Sequence, residues 1–325
     1  MNKKIFNFSA TLACSATLLQ LGIIPPSFAI QSTQPQAENY SNNYIAQART
    51  YKVKLGDTLS GIAYKNGINL QQILSFNPNL RNNPNLIRVG QVIYLSKPAS
   101  PPVAQKPPAR RQSVQTFNLP NQRRIASNRV GARRGDPKQD CRVNPDDSLK
   151  VLLPETNFGY TLQDYPTFFW YMPQLKTQPE RLELKVRPVG ADSFKTYQLT
   201  STNQNAGVMS VTLPPEMGAF EEGTEYQWEV RVYCTPQMFM SATGNIQRLS
   251  ANNPQLESKL ENASVEDYPA ILAQEGVWYD ALLTLAALRK ENPNDSSLSA
   301  DWTNLLKIIG FENIASAPLV VSGGN

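Results

Sequence analysis

Residues 51–63 read Tyr51-Lys-Val-Lys-Leu-Gly-Asp-Thr-Leu-Ser-Gly-Ile-Ala63, and this stretch decides the fold of the N-terminal region. Residues 49–55 alternate between apolar and polar side chains, which predicts a strand. Gly56 supplies a turn, and Asp57 is placed to cap a helix that begins at Thr58. The apolar residues of this helix recur at helical spacing and share one face: Leu59, Ile62 and Ala63.

The pattern of apolar residues and turn residues continues to residue 96. Gly67 predicts the end of the first helix, and a second helix with its own apolar face ends at Asn77-Pro78. A turn at residues 89–91 leads to a closing strand over Val92–Leu95. The pattern therefore predicts strand, helix, helix, strand within 50 residues, with the two strands pairing antiparallel.

Residues 49–96 resemble a LysM domain, a small module that holds N-acetylglucosamine polymers such as peptidoglycan and chitin. The resemblance lies in this order of elements, in the glycine-aspartate-threonine turn at residues 56–58, and in the asparagine-proline pair at residues 77–78. It implies a sugar groove between the first strand–helix loop and the loop after the second helix. The residues implied in carbohydrate binding are Gly56, Asp57, Thr58, Leu59, Asn77, Pro78, Asn79, Leu86 and Ile87. The alternative is that Gly56 and Asp57 serve only as a turn and a cap.

The first 48 residues predict an exported protein. Residues 1–29 combine two lysines, an apolar run over Ala10–Ile24 and small residues near Ala29, which is typical of a signal peptide. Residues 30–48 are rich in Gln, Asn and Ser and predict disorder. No other stretch is apolar enough to span a bilayer. We expect a secreted or periplasmic protein associated with the cell wall, with no transmembrane span.

The cysteines agree with export. Cys14 lies in the predicted signal peptide, which leaves Cys141 and Cys234 in the mature chain. An even pair in an exported protein predicts a disulfide. The alternative is two separate buried thiols.

Charge is distributed unevenly around a formal net charge of +5. Residues 97–138 hold ten Lys and Arg against one acid and are rich in Pro, whereas residues 139–325 hold 13 basic and 23 acidic side chains. The first segment is predicted to be a disordered basic linker. A run of basic residues is typical of segments that bind nucleic acid, but for an exported protein we expect no nucleic acid partner. The other interpretations are that the segment binds acidic wall polymers, lipid head groups or the acidic body, or that it is simply a solvated spacer.

The chain has no histidine. This argues against zinc amidases and metallopeptidases, and against most hydrolases with a His base, and it leaves glycosidases that use Glu and Asp. No pattern pairs two acids among the candidate carboxylates: Glu155, Asp164, Glu221, Glu222 and Glu225. No metal site, cofactor or phosphate-binding loop is predicted, and we expect no enzyme.

Residues 139–250 predict a β-domain. Short runs rich in aromatic and β-branched residues are separated by Pro and Gly, which favours an antiparallel, immunoglobulin-like sandwich: 168–172, 181–189, 194–199, 208–213 and 226–233. Residues 251–325 change to a helical period. Gly276–Leu282 followed by Asn292-Pro-Asn-Asp295 resembles half of a tetratricopeptide repeat. The predicted fold class is multidomain α+β.

Residues 141–320 resemble exported cyanobacterial proteins grouped as domain of unknown function 928, on the strength of residues 151–171 and 276–282. The resemblance implies an envelope location and brings no catalytic residue. Together these observations predict a non-catalytic, exported envelope protein that binds peptidoglycan through LysM and presents a protein-interaction body to envelope partners. The alternatives are a Glu/Asp-dependent cell-wall glycan hydrolase and a structural component of the wall.

Overall fold

The computed structural model describes residues 49–97, 113–114, 117, 132–136, 138, 140–199 and 204–321. The predicted signal peptide, the predicted disorder at residues 30–48 and most of the predicted linker lie outside the described residues. We use the term N-terminal module for residues 49–97 and the term body for residues 132–321.

The N-terminal module has the predicted order of elements. Strand β1 (Thr50–Lys52) pairs antiparallel with β2 (Val92–Tyr94), and helices α1 (Leu59–Lys65) and α2 (Leu70–Phe76) lie between them in sequence. A 3-10 turn follows at Pro78–Leu80. The module has a hydrophobic core of its own, formed by Val53, Leu59, Ile62, Ala63, Ile73, Leu80, Ile93 and Leu95.

The described residues of the body form two sheets and four α-helices. Its strands are β3 (Ala132–Arg134), β4 (Lys150–Val151), β5 (Phe158–Thr161), β6 (Thr167–Met172), β7 (Arg181–Pro188), β8 (Lys195–Leu199), β9 (Gly207–Thr212), β10 (Glu225–Tyr233), β11 (Phe239–Arg248) and β12 (Leu319–Val321). One sheet has the order β3-β11-β10-β7-β8, with β5 also paired to β11; the other has the order β12-β9-β6-β4.

The five strands predicted for the body are confirmed as β6 to β10. The pairs among these five strands are antiparallel, as predicted, whereas two strands that were not predicted pair parallel, β5 with β11 and β12 with β9. Both strands enter their sheets after long connections rather than through hairpins, so nothing forces antiparallel pairing. The body is thus a β-rich domain with helices, and its likeness to immunoglobulins stays a prediction.

The helices of the body are α3 (Pro254–Glu261), α4 (Tyr268–Gln274), α5 (Trp278–Glu291) and α6 (Ser296–Ile308). Asp295 caps α6 by accepting hydrogen bonds from the backbone N–H groups of Ser297 and Leu298, at 2.8 and 3.1 Å. The tetratricopeptide-like arrangement stays a prediction. Within the described ranges, no helix is both long and apolar enough to cross a membrane.

Aromatic residues join the sheets and helices into one core. The Trp228 ring of β10 lies 4.8 Å from the Phe168 ring of β6. The Trp228 indole N–H donates to the Tyr279 hydroxyl of α5 at 2.7 Å, and that hydroxyl donates to the Asn245 carbonyl of β11 at 3.1 Å. Helix α5 is therefore part of the core and not an appendage.

The predicted disulfide is confirmed. Cys141 and Cys234 are bonded across a sequence separation of 93 residues, which ties the entrance of the body to the end of β10.

The prediction that residues 97–138 form a disordered linker is wrong at several described positions. The Val114 side chain is 1% exposed, and its N–H donates to the Asp301 carboxylate of α6 at 3.2 Å. Phe117 packs edge-on against Trp278, with ring centroids 4.9 Å apart, and residues 132–134 form β3 beside β11. The physical reason is that isolated apolar side chains within a polar segment can be buried against the helices, which reduces their contact with water.

Candidate functional site

The first loop of the predicted glycan groove is a tightly bonded turn. Gly56 has a φ of +82°, which favours glycine. The Asp57 carboxylate accepts from the Lys54 N–H and from the Tyr51 hydroxyl, both at 2.8 Å. Burial and this hydrogen bond to Asp57 raise the pKa of Tyr51. Asp57 thus fixes the turn.

Helix α1 begins differently from the prediction. The cap is Thr58, whose hydroxyl accepts from the Gly61 N–H at 2.9 Å, and not Asp57, whose carboxylate bonds back toward β1 instead. Leu59 is 2% exposed and belongs to the core of the N-terminal module. In this conformation the side chains of Thr58 and Leu59 are both buried.

The second predicted loop begins with a buried asparagine. The Asn77 amide donates to the carbonyls of Ile73 and Tyr94, both at 2.8 Å, and its oxygen accepts from the Tyr94 N–H at 3.0 Å. These bonds hold α2 against β2. Pro78 and Asn79, which follow, are exposed.

The apolar pair of the second loop is divided between two cores. Ile87 packs against the core of the N-terminal module, whereas Leu86 packs against the core of the body. Leu55 and Val89 also pack in the body. The structure therefore does not bring Leu59, Leu86 and Ile87 together on one open apolar surface.

Both loops contact the body. A Cβ atom on Gly56 would lie 2.2 Å from the carbonyl oxygen of Leu162, so the turn touches the backbone of the body directly. The Asn83 side-chain amide donates to the Ala287 carbonyl of α5 at 2.7 Å, in a buried position. We call residues 161–165 the docking segment. No sequence signal distinguished Asn83 or Leu162.

An ion-pair network crosses the same boundary. Lys65 Nζ lies 2.6 Å from Asp164 Oδ2 and 3.5 Å from Asp57 Oδ1. Burial opposes the charge of Lys65, but the hydrogen bond to Asp164 and the two carboxylates outweigh it and raise the pKa of Lys65. Lys52 and Glu261 form a second, exposed pair at 3.1 Å. Lys65 was not among the predicted site residues, because one surface lysine carries no local signal.

A buried acid holds the docking segment. Asp280 of α5 accepts from the Thr161 hydroxyl at 2.8 Å and from the Leu162 N–H at 3.2 Å. Burial raises the pKa of Asp280 to about 6. Asp280 belongs to the Gly276–Leu282 motif of the sequence, and in the structure it positions the docking segment.

We expect this acid to make the stability of the body depend on pH. Its folded pKa lies above the value of about 4 in the unfolded chain, so protonation favours the folded state, and the gain is lost as pH rises through 6. Relative to Asp280→Asn, the free energy of unfolding of the wild type should rise by about 1 kcal/mol between pH 7 and pH 5. Urea unfolding of both chains at the two pH values measures this. Parallel behaviour of the two chains would contradict it.

The candidate catalytic carboxylates do not gather into one acidic site. Asp164 is paired with Lys65, while Glu155 and Glu221 are exposed. Glu222 accepts from the Ala251 N–H, which lowers its pKa, and burial raises the pKa of Glu225. Among the residues that the structure describes, no group of three or more Cys, Asp and Glu side chains is placed to hold a metal ion.

A cleft of about 620 Å³ lies beside the docking segment, between Leu162, Leu249 and the start of α3. Two of its polar side chains serve local structure. Asn253 caps α3 by accepting from the Leu256 N–H, and Glu275 pairs with Lys259. The cleft thus adds no pair of facing acids to the site.

Comparison with known proteins places both parts of the chain. Residues 51–96 match the LysM domain model, so the N-terminal module is of the LysM class. Residues 129–319 match the model named Domain of Unknown Function (DUF928). This second match covers more than half of the chain, and the chain belongs to the DUF928 family.

Several curated proteins are similar over the N-terminal region. The endolysin of Bacillus phage PZA is 52% identical over 48 residues, which are 15% of this chain and 18% of the phage protein. The N-acetylmuramoyl-L-alanine amidase XlyA of Bacillus subtilis is 47% identical over 60 residues, 18% of each chain. The endolysin of Bacillus phage B103 is 40% identical over 60 residues, 18% of this chain and 22% of that protein. The chain therefore spans about a fifth of the length of these relatives.

Proposed function

We propose that this chain is a non-catalytic, exported envelope protein that binds peptidoglycan or another N-acetylglucosamine glycan through its N-terminal module. The observation that carries the proposal is the LysM match over residues 51–96, joined to a module with its own hydrophobic core. The similar proteins are named as two endolysins and an amidase, and their likeness to this chain lies in the same region.

Features of the body support the non-catalytic part of the proposal. A chain without histidine lacks the usual general base and zinc ligand of wall-degrading enzymes. Among the candidate carboxylates, Glu155 and Glu221 are exposed, and Asp164 is bonded to Lys65. The Cys141–Cys234 disulfide is typical of an oxidising compartment and supports export. In this proposal the body presents a surface to other envelope proteins.

Retention on purified, insoluble peptidoglycan tests the proposal. We expect the full chain to sediment with the wall and a chain lacking residues 49–97 to stay in solution. Changing the exposed pair Pro78 and Asn79 to alanine should weaken retention about fivefold to tenfold, since a groove contact is worth on the order of 1 kcal/mol. The matched control is Gln71→Ala on the exposed side of α2, which should bind like the wild type.

Two results would contradict the proposal in different ways. Equal retention of the chain without residues 49–97 would show that the N-terminal module is not the glycan-binding part. Release of soluble sugar in the same tubes would contradict the non-catalytic reading and favour the alternative, a Glu/Asp-dependent glycan hydrolase.

A further inference from the structure

The two loops to which the glycan hypothesis assigns binding are the loops that contact the body. In the first loop, the Gly56 backbone lies against the Leu162 carbonyl. In the second loop, Asn83 bonds the Ala287 carbonyl at 2.7 Å. A sugar chain lying between the loops would have to approach through space that the docking segment and the end of α5 fill or border.

The contact has the marks of a specific interface. Asp164 is 2% exposed and receives the Lys65 ammonium group at 2.6 Å. Apolar residues of the N-terminal module, Leu55 and Leu86 among them, pack into the core of the body. The Tyr64 ring meets the Tyr165 ring edge-on at 6.3 Å. Buried polar contacts and apolar packing occur together, as they do in specific protein–protein interfaces.

We propose that the body and a glycan chain compete for the same face of the N-terminal module. The inference rests on the proposed function, because it takes the loops of the module as the glycan site. Glycan capture then requires the module to leave the body, and capture uncovers the docking segment. The body is in effect a ligand that the chain supplies to its own glycan-binding module.

Competition has a reciprocal consequence. The apparent affinity for glycan is reduced by the fraction of chains in which the module is undocked. By linkage, glycan must weaken docking by the same factor that docking weakens glycan binding. Both directions are measurable.

The exposed pair Lys52 and Glu261 permits the module to be locked in place. Their side chains lie 3.1 Å apart across the interface, so a carbodiimide can activate the Glu261 carboxylate and join it to the Lys52 amine as an amide. We expect the locked chain to lose retention on peptidoglycan by at least about tenfold, because a module that cannot leave the body has no undocked fraction left to bind glycan. Lys52→Arg, treated identically, keeps the charge but cannot form this amide and should be retained.

A variant of the body opens the interface without touching the module. Asp164→Lys places two ammonium groups together and should raise glycan affinity about fivefold to tenfold. Asp192→Lys, an exposed position after β7, makes the same change of charge elsewhere and should leave affinity unchanged. Soluble chitin oligosaccharide, added before the carbodiimide, should lower the yield of the Lys52–Glu261 amide as measured by mass spectrometry.

The outcomes separate the two proposals. If the locked chain is retained as well as the Lys52→Arg control, competition is wrong while glycan binding stands. The same holds if oligosaccharide binds and the yield of the amide does not fall. If neither the unlocked wild type nor Asp164→Lys is retained, glycan binding by the module is wrong, and competition is wrong with it.

Discussion

Replacing Cys141 and Cys234 together by serine is expected to lower the free energy of unfolding of the body by about 4–5 kcal/mol. The bond closes a loop of 93 residues, and in the chain-entropy model a loop of this length strongly restricts the unfolded ensemble. The loop contains β4 to β10, so the loss affects both sheets of the body.

Urea unfolding of the double variant beside the oxidised wild type measures this loss. The wild type under reducing conditions is the matched control and should unfold like the double variant. A difference below about 1 kcal/mol, with the bond verified in the wild type by mass spectrometry, would show that the disulfide contributes little to stability.

Trp278→Ala is expected to cost about 3–5 kcal/mol. Trp278 is fully buried at the start of α5, where its indole N–H donates to the Leu152 carbonyl at 2.8 Å and its ring receives Phe117. Truncation leaves a cavity and an unpaired buried carbonyl, and both are destabilising.

Trp278→Phe separates these two contributions. It keeps an aromatic ring and removes the indole donor, so the expected loss is about 1–3 kcal/mol, measured by the same urea unfolding. If the phenylalanine variant were as unstable as the alanine variant, the hydrogen bond rather than the packing would dominate. If both variants matched the wild type, the placement of Trp278 in the core would be wrong.

The N-terminal module could be predicted because its elements are local. Apolar periodicity located both helices, and the turn residues located both strands. The predicted cap of α1 was wrong by one residue. Asp57 and Thr58 are both good caps in isolation. The Asp57 carboxylate is occupied by hydrogen bonds from Tyr51 in β1 and from Lys54 just after it.

Strand β11 was missed although it is the longest strand described. Its inward positions are Met240, Ala242, Gly244 and Ile246, and the two small residues among them weaken the apolar alternation. Gly244 explains part of this, because a Cβ there would lie 2.4 Å from the Leu153 side chain and 2.8 Å from the Trp228 indole nitrogen. The requirement comes from residues distant in sequence, so no local pattern could reveal it.

The interface between the module and the body could not be predicted either, because it too depends on residues that are distant in sequence. Leu55 was predicted in the first strand of the module and Leu86 in its glycan groove, yet both pack into the body. Of the predicted carbohydrate-binding residues, Thr58, Leu59 and Asn77 support the module internally. Pro78 and Asn79 are the exposed members, and the binding roles of all nine stay a prediction.

The burial of Val114 against α6 limits how far the N-terminal module can move from the body. Sixteen residues separate Lys97 from Val114, and a chain of that length cannot extend beyond about 55–60 Å. A module that leaves the body therefore remains within this radius, at an effective concentration on the order of millimolar. Dilute sugar fragments would compete poorly against such a local supply of body surface. Under the proposed competition, a continuous wall polymer, whose repeats are held together, would displace the body more readily than dilute fragments would.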